Sequence, residues 1–217
     1  MKLGQRKLLG ALFEEYPPTG RKANQPQPIS RNDANKNVND QGNEPCEQRE
    51  YLHLLGMLNY IAHTQPDIST ALSYAATKNA NPIKANFEEL LRVVDYLWQT
   101  KEKGLILHPA PYKNAPLTLI CHVDASYLAH EDTKSHTGYC LSFSKFGSFY
   151  SKSSKQKLVA TSSTHAEIRA LYTLILGIIY IVHLCQEVGH PIDLPAIVFE
   201  DNQPVINLTK TLSSKVT

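Results

Sequence analysis

Large apolar residues recur at helical spacing in two stretches of the chain and at strand spacing in a third, and this difference divides it. In residues 50–107, Tyr51, Leu54, Leu55, Leu58 and Ile61 or Ala62 follow the period of an amphipathic helix. Pro66 interrupts, and residues 68–77 form a second predicted helix. Asn81-Pro82 offers an N-cap followed by proline at the first helical position, and Phe87, Leu90, Leu91, Val94, Leu97 and Trp98 mark the stripe of a third. Lys101 and Lys103 fit its last turn, and Gly104 its stop. Beyond Pro109, Pro111 and Pro116 the pattern becomes that of strands: residues 117–123, 136–143 and 148–153, the last two joined by a turn through SKFGS. Residues 165–188 read as a helix that is apolar round most of its circumference and closed by Gly189-His190-Pro191. Such a helix is expected at the centre of a domain, packed on a sheet. A fourth strand, 196–200, precedes a last helix from about residue 204.

The order β-β-β-α-β-α predicts an α/β domain over residues 116–217. Its mixed sheet would be a three-stranded meander, with the fourth strand entering by a crossover parallel to the first. Residues 50–108 form a helical region before it. Residues 1–16 fit either a short helix or a strand remnant. In residues 17–49, five prolines stand among Asn, Gln, Asp and Lys while large apolar residues nearly vanish. Such a segment cannot bury enough surface to offset its ordering entropy, so a disordered linker is expected there.

Composition narrows the picture only a little. A chain of 217 residues that is 42% apolar has enough for a proper core. Its 22 basic and 20 acidic residues nearly balance, so any surface for nucleic acid has to be local. Cys121, Cys140 and Cys185 sit in apolar runs, and no cysteine has metal-ligand spacing, which favours a reducing, intracellular setting (cytoplasm or nucleus). Residues 1–13 lack the apolar core of a signal peptide. The most apolar run, residues 170–182, is about 13 residues and too short for a bilayer, so no membrane partner is expected.

The candidate chemistry lies in three carboxylates. Asp124 ends the first strand of the α/β domain, Asp201 follows the fourth, and Glu167 lies near the start of the long helix. If the two strands are parallel neighbours, Asp124 and Asp201 emerge at one sheet edge, where open α/β sheets bind ligands, and Glu167 covers it. Three converging negative charges repel strongly unless cations relieve them. A pair of hard divalent ions, Mg²⁺ or Mn²⁺, suits such ligands and could serve phosphodiester hydrolysis. Each residue also has a plainer reading. Thr164 and Glu167 could form a capping box, Asp124 could belong to a turn, and Asp201-Asn202 could cap the last helix.

Several segments carry a family resemblance. TSSTHAEIRAL resembles the SSTEAEYxAL segment of the ribonuclease H domain of Copia-type (Ty1/Copia, Pseudoviridae) retrotransposon polyproteins. VDASYLAHEDTKSHTGYCLSF is similar to that family's DADWAGDxxxRKSTSGYxxxL, SFYSKSSKQKLVATSST to xxWxSKKQxxVALSST, and VFEDNQPVINL to xxDNQSAIxL. Upstream, YLHLLGMLNYIAHTQPDISTAL resembles YRSLIGxLxYLAxTRPDIxxAV, the region joining reverse transcriptase to ribonuclease H. The likeness runs in unbroken order from about residue 51 to 208.

The resemblance implies a ribonuclease H-like fold in which Asp124, Glu167 and Asp201 are catalytic and hold two Mg²⁺ or Mn²⁺ ions. It also implies hydrolysis of the RNA strand of an RNA–DNA hybrid, with the upstream reverse transcriptase portion of a polyprotein as a further partner. Hybrid contacts would fall to Ser126, Ser163, Asn202 and Gln203 near the carboxylates, and to Lys134, Lys152, Lys155 and Lys157 at phosphates. The same lysines also suit a solvated strand-and-turn surface. Against the family pattern, His165 replaces the first acid of TEAE, Tyr127 replaces the Trp of DADW, and no KHID-like segment with a fourth carboxylate follows. The alternative expectation is therefore a truncated, catalytically impaired remnant that binds nucleic acid weakly or serves as an interaction module.

Overall fold

A computed structural model describes residues 1–20, 27–29, 44–107, 117–143 and 147–213. Most of the expected linker lies outside the described residues. The chain divides into two compact units, Lys2–Leu105 and Ile106–Thr217, with Met1 grouped with the second.

The first unit is helical. It comprises α1 (Arg6–Glu15), α2 (Gln48–Ala62), a 3-10 turn (Pro66–Ile68), α3 (Ser69–Ala76) and α4 (Lys84–Gln99). The short strand β1 (Lys2–Leu3) pairs with β2 (Leu105–Ile106). The first sixteen residues thus contain both a strand and a helix. Leu9 and Leu12 of α1 join the core formed by Tyr51, Leu54, Leu58 and Ile61 of α2, Leu72 of α3, and Leu90, Val94 and Leu97 of α4. Burying each such leucine contributes about 1.5–3 kcal/mol.

Two helix boundaries differ from expectation. Asn81-Pro82 does not cap α4, which starts at Lys84; the Ile83 N–H is taken by Asn86 Oδ1 at 3.1 Å. The helix stops at Gln99, before Gly104, and the Thr100 hydroxyl donates back to the Tyr96 carbonyl at 2.8 Å. Gly104 instead permits close approach, because a Cβ there would stand 2.4 Å from the Leu3 carbonyl oxygen. The described ends of residues 17–49 are fastened. Thr19 donates its N–H and hydroxyl to the Asp95 carboxylate at 2.7 and 2.6 Å, and Pro45 bridges to Ile83.

The second unit is a mixed α/β layer built from β3 (Leu117–Ser126), β4 (His136–Ser142), β5 (Tyr150–Lys155), α5 (Ser163–Glu187), β6 (Ile192–Phe199) and α6 (Gln203–Ser213). The strand order is β5-β4-β3-β6, with β3 antiparallel to β4 and parallel to β6. Strand alternation turns Leu119, Cys121 and Val123 to one face, where they are buried with Tyr139, Leu141 and the α5 residues Ala170 and Leu174. β6 begins four residues before the expected start. Pro195 reads as a boundary because it removes a ladder donor, yet the strand runs through it while the register shifts between Thr118 and Ile120.

The long helix is not central. Only Ala166, Glu167, Ala170 and Leu174 of α5 are buried, while Tyr172, Ile175, Leu176, Ile179, Tyr180 and Leu184 are between 41% and 66% exposed. A sheet on one side contacts one stripe of a helix, and the apolar residues outside that stripe stay outside. α5 keeps nearly the bounds expected for this helix, 165–188, and although its most apolar run is about 13 residues, by the length and composition of the whole helix it could cross a membrane.

Candidate metal centre

Each carboxylate is delivered by a different element of the sheet unit. Asp124 lies in β3 opposite Gly138 of β4, so it is a strand residue and not part of a turn. Glu167 lies one turn into α5. The α5 cap is Ser162, whose Oγ accepts the His165 N–H at 3.1 Å. This places His165, and not Glu167, at the position a capping box would use, and Thr164 is not the cap. Asp201 follows β6, and the cap of α6 is its neighbour: Asn202 Oδ1 accepts the Val205 N–H at 3.2 Å. Local capping therefore accounts for none of the three acids.

They meet at one sheet edge. One ligand oxygen from each of Asp124, Glu167 and Asp201 lies within 4.8 Å of the other two. That span is close to twice the roughly 2.1–2.5 Å at which hard divalent cations bind oxygen. Glu167 is only 6% exposed, and its Oε2 is buried with no hydrogen-bond partner among the described residues. Burial, followed by the charges of Glu200, Asp124 and Asp201, pushes Glu167 up to about 7. A buried orphan oxygen in an all-carboxylate set fits Mg²⁺ or Mn²⁺ and does not fit zinc, which prefers nitrogen and sulfur.

Sequence reading missed an acid that adjoins this group. Glu200 precedes Asp201, and its carboxyl is also raised, first by burial and further by Asp201 and Asp124. Its Oε1 accepts the Asn202 N–H at 2.9 Å, while Oε2 is buried without a partner. The available signal was strand alternation: Ala196 and Val198 pack toward α5, and Glu200 is the next even position.

The candidate contact residues are scattered more widely. Ser126 ends β3, and Ser163 opens α5; both are exposed. Gln203 donates from Nε2 to Asn207 Oδ1 at 2.9 Å, and Asn202 is engaged as the α6 cap. Lys134 and Lys155 both reach Asp132, at 3.0 and 2.8 Å, and hold its carboxyl far below the usual range. Lys152 is exposed on β5 opposite Tyr139, and Lys157 is exposed just after β5.

The chain is 30% identical, over 162 residues or 74% of its length, to the retrovirus-related Pol polyproteins from transposons RE1 and RE2 of Arabidopsis thaliana. Over 200 residues, or 87% of its length, it is 28% identical to the transposon Ty1-ER2 Gag-Pol polyprotein of Saccharomyces cerevisiae. The chain is a relative of retrotransposon polyproteins. It spans 11% of the length of each. No family model matches this retroelement-derived chain, and no solved structure matches it.

Proposed function

We propose that the sheet unit is a ribonuclease H-like domain that hydrolyses the RNA strand of RNA–DNA hybrids with divalent metal ions, as part of a retrotransposon polyprotein. The observation that carries this reading is the convergence of Asp124, Glu167 and Asp201 within 4.8 Å, with a buried Glu167 oxygen that no protein donor satisfies. In this reading the three carboxylates hold Mg²⁺ or Mn²⁺ at the sheet edge. When bound, a cation pair supplies charge to activate a water and to stabilise the leaving oxygen of an in-line displacement. The chain's own residues fix the geometry: β3 and β6 set the spacing of the two aspartates, and the sheet-packed end of α5 holds Glu167 between them. In the same reading the exposed Ser126 and Ser163 meet a 2′-hydroxyl, and the exposed Lys152 and Lys157 meet phosphates. Intracellular reverse transcription is the setting that goes with this activity.

The test is Mg²⁺-dependent cleavage of a labelled hybrid by the full chain, compared with Asp124→Asn. Metal stabilisation of several kcal/mol in the transition state corresponds to a loss of about 10³-fold or more. Equal cleavage by both proteins refutes the assignment. Salt-sensitive hybrid binding without cleavage by the unaltered chain favours the impaired-remnant reading.

A further inference from the structure

The Asn202 turn uses only half of Glu200. Its Oε1 accepts the Asn202 N–H at 2.9 Å, and an amide oxygen would do this equally well. The second oxygen, Oε2, is removed from solvent with no donor, and a carboxylate oxygen in that state is among the most costly groups a fold can bury. Glu167, itself 6% exposed, has an Oε2 in the same condition. Glu200 directly precedes Asp201, one of whose carboxylate oxygens lies within 4.8 Å of one from Glu167 and one from Asp124. Ala196 and Val198 pack into the cluster that includes α5, and Glu200 follows the end of β6 at Phe199, at the sheet edge where Asp201 stands.

We propose that Glu200 is a fourth carboxylate of this centre and sets its capacity, two divalent cations with it and one without. The inference rests on the metal-dependent reading above. Charge balance gives its direction. Three carboxylates leave a pair of divalent cations with unbalanced positive charge, and a fourth neutralises the pair. Among the described residues the compact group is Asp124, Glu167 and Asp201, so Glu200 joins from its flank and serves the second ion beside Glu167.

The experiment is a Mn²⁺ titration of the full chain without substrate, with free Mn²⁺ followed by its paramagnetic resonance. Glu200→Gln is the variant, since glutamine keeps the acceptor for the Asn202 N–H and removes the charge. The expected result is two ions for the unaltered chain and one for Glu200→Gln, with the tighter ion's affinity changed less than about 3-fold. Asp124→Asn is expected to weaken the tighter ion by at least about 10-fold. Two ions with unchanged affinities in Glu200→Gln overturn the proposal. So does a single ion in the unaltered chain that still cleaves hybrid, a result that needs no folded variant. Absence of both Mn²⁺ binding and cleavage in the unaltered chain removes the metal-dependent reading itself, and this proposal with it.

Discussion

In the helical unit, the buried side-chain oxygens without a partner among the described residues belong to Gln5, Gln65 and Asn79, all neutral amides. In the sheet unit they belong to Gln156, Glu167 and Glu200. Both units can satisfy acids. In the helical unit Asp95 takes two donors from Thr19, and Asp67 takes the Tyr96 hydroxyl. In the sheet unit Asp132 takes two lysines. Among the described residues, the buried carboxylate oxygens without a partner therefore belong to Glu167 and Glu200 of the sheet unit. An orphan amide oxygen is a modest loss that a good core absorbs, whereas clustered orphan carboxylates either take up protons or need something else to bring positive charge. That contrast is what the proposed metal centre in the sheet unit rests on.

The largest effect should come from the two cores. Leu54 in α2 and Leu174 in α5 are both fully buried. Truncating either to alanine is expected to cost about 2–5 kcal/mol in denaturant unfolding, from lost transfer energy and the cavity left behind. Tyr180→Ala, on the 66% exposed outer face of α5, should stay within about 0.5 kcal/mol. A Tyr180→Ala cost equal to that of Leu174→Ala would mean that this face is covered in solution.

The next effect tests the carboxylate edge through pH. The folded-state pKa of Glu167 lies near 7 against 4.5 for a free glutamate, with burial the first cause and the neighbouring acids the second. Between those values the folded protein binds more protons than the unfolded one, so this group makes stability fall as pH rises from about 4.5 through 7. His136 acts in the opposite sense. Burial, then His130, holds it at about 4, so its contribution is lost as pH falls from 6.5 toward 4. Comparison with Glu167→Gln isolates the first slope. In metal-free buffer the unaltered chain should lose on the order of 1–2 kcal/mol more than the variant between pH 5 and 8, allowing for solvent screening. Adding Mg²⁺ at pH 8 should restore stability to the unaltered chain alone. Parallel pH profiles for the two proteins would place Glu167 in an ordinary structural role.

Much of this edge was legible in the sequence, and for a physical reason. Strand alternation and chain order place Asp124 and Asp201 at adjacent strand ends, and a single turn of helix places Glu167 over them. What escaped depended on tertiary partners. The exposed face of α5 cannot be told from a buried one by hydropathy, since the pattern records apolar side chains and not what covers them. β6 was shortened in sequence because Pro195 looks like a boundary until the neighbouring strand is known. Alternation along the fourth strand points at Glu200, but the burial of its second oxygen, which sets it apart from an ordinary acid, shows only in the folded chain.

The smallest effect concerns Asn202, which the sequence offers both as a helix cap and as a hybrid contact. Its Oδ1 accepts the Val205 N–H at 3.2 Å, the bond of an N-cap side chain. Asn202→Ala should therefore cost about 1 kcal/mol, and Asn202→Ser, which keeps an acceptor at that position, should recover most of it. If capping is the whole role, Asn202→Ser also keeps the KM for hybrid. If the amide instead reaches the nucleic acid with its free Nδ2 donors, Asn202→Ser will be as stable as the unaltered chain while its KM rises several-fold. Stability and KM then part company at a single residue. That outcome would extend the functional edge by one position beyond the carboxylates, into a turn whose backbone the cap already holds in place.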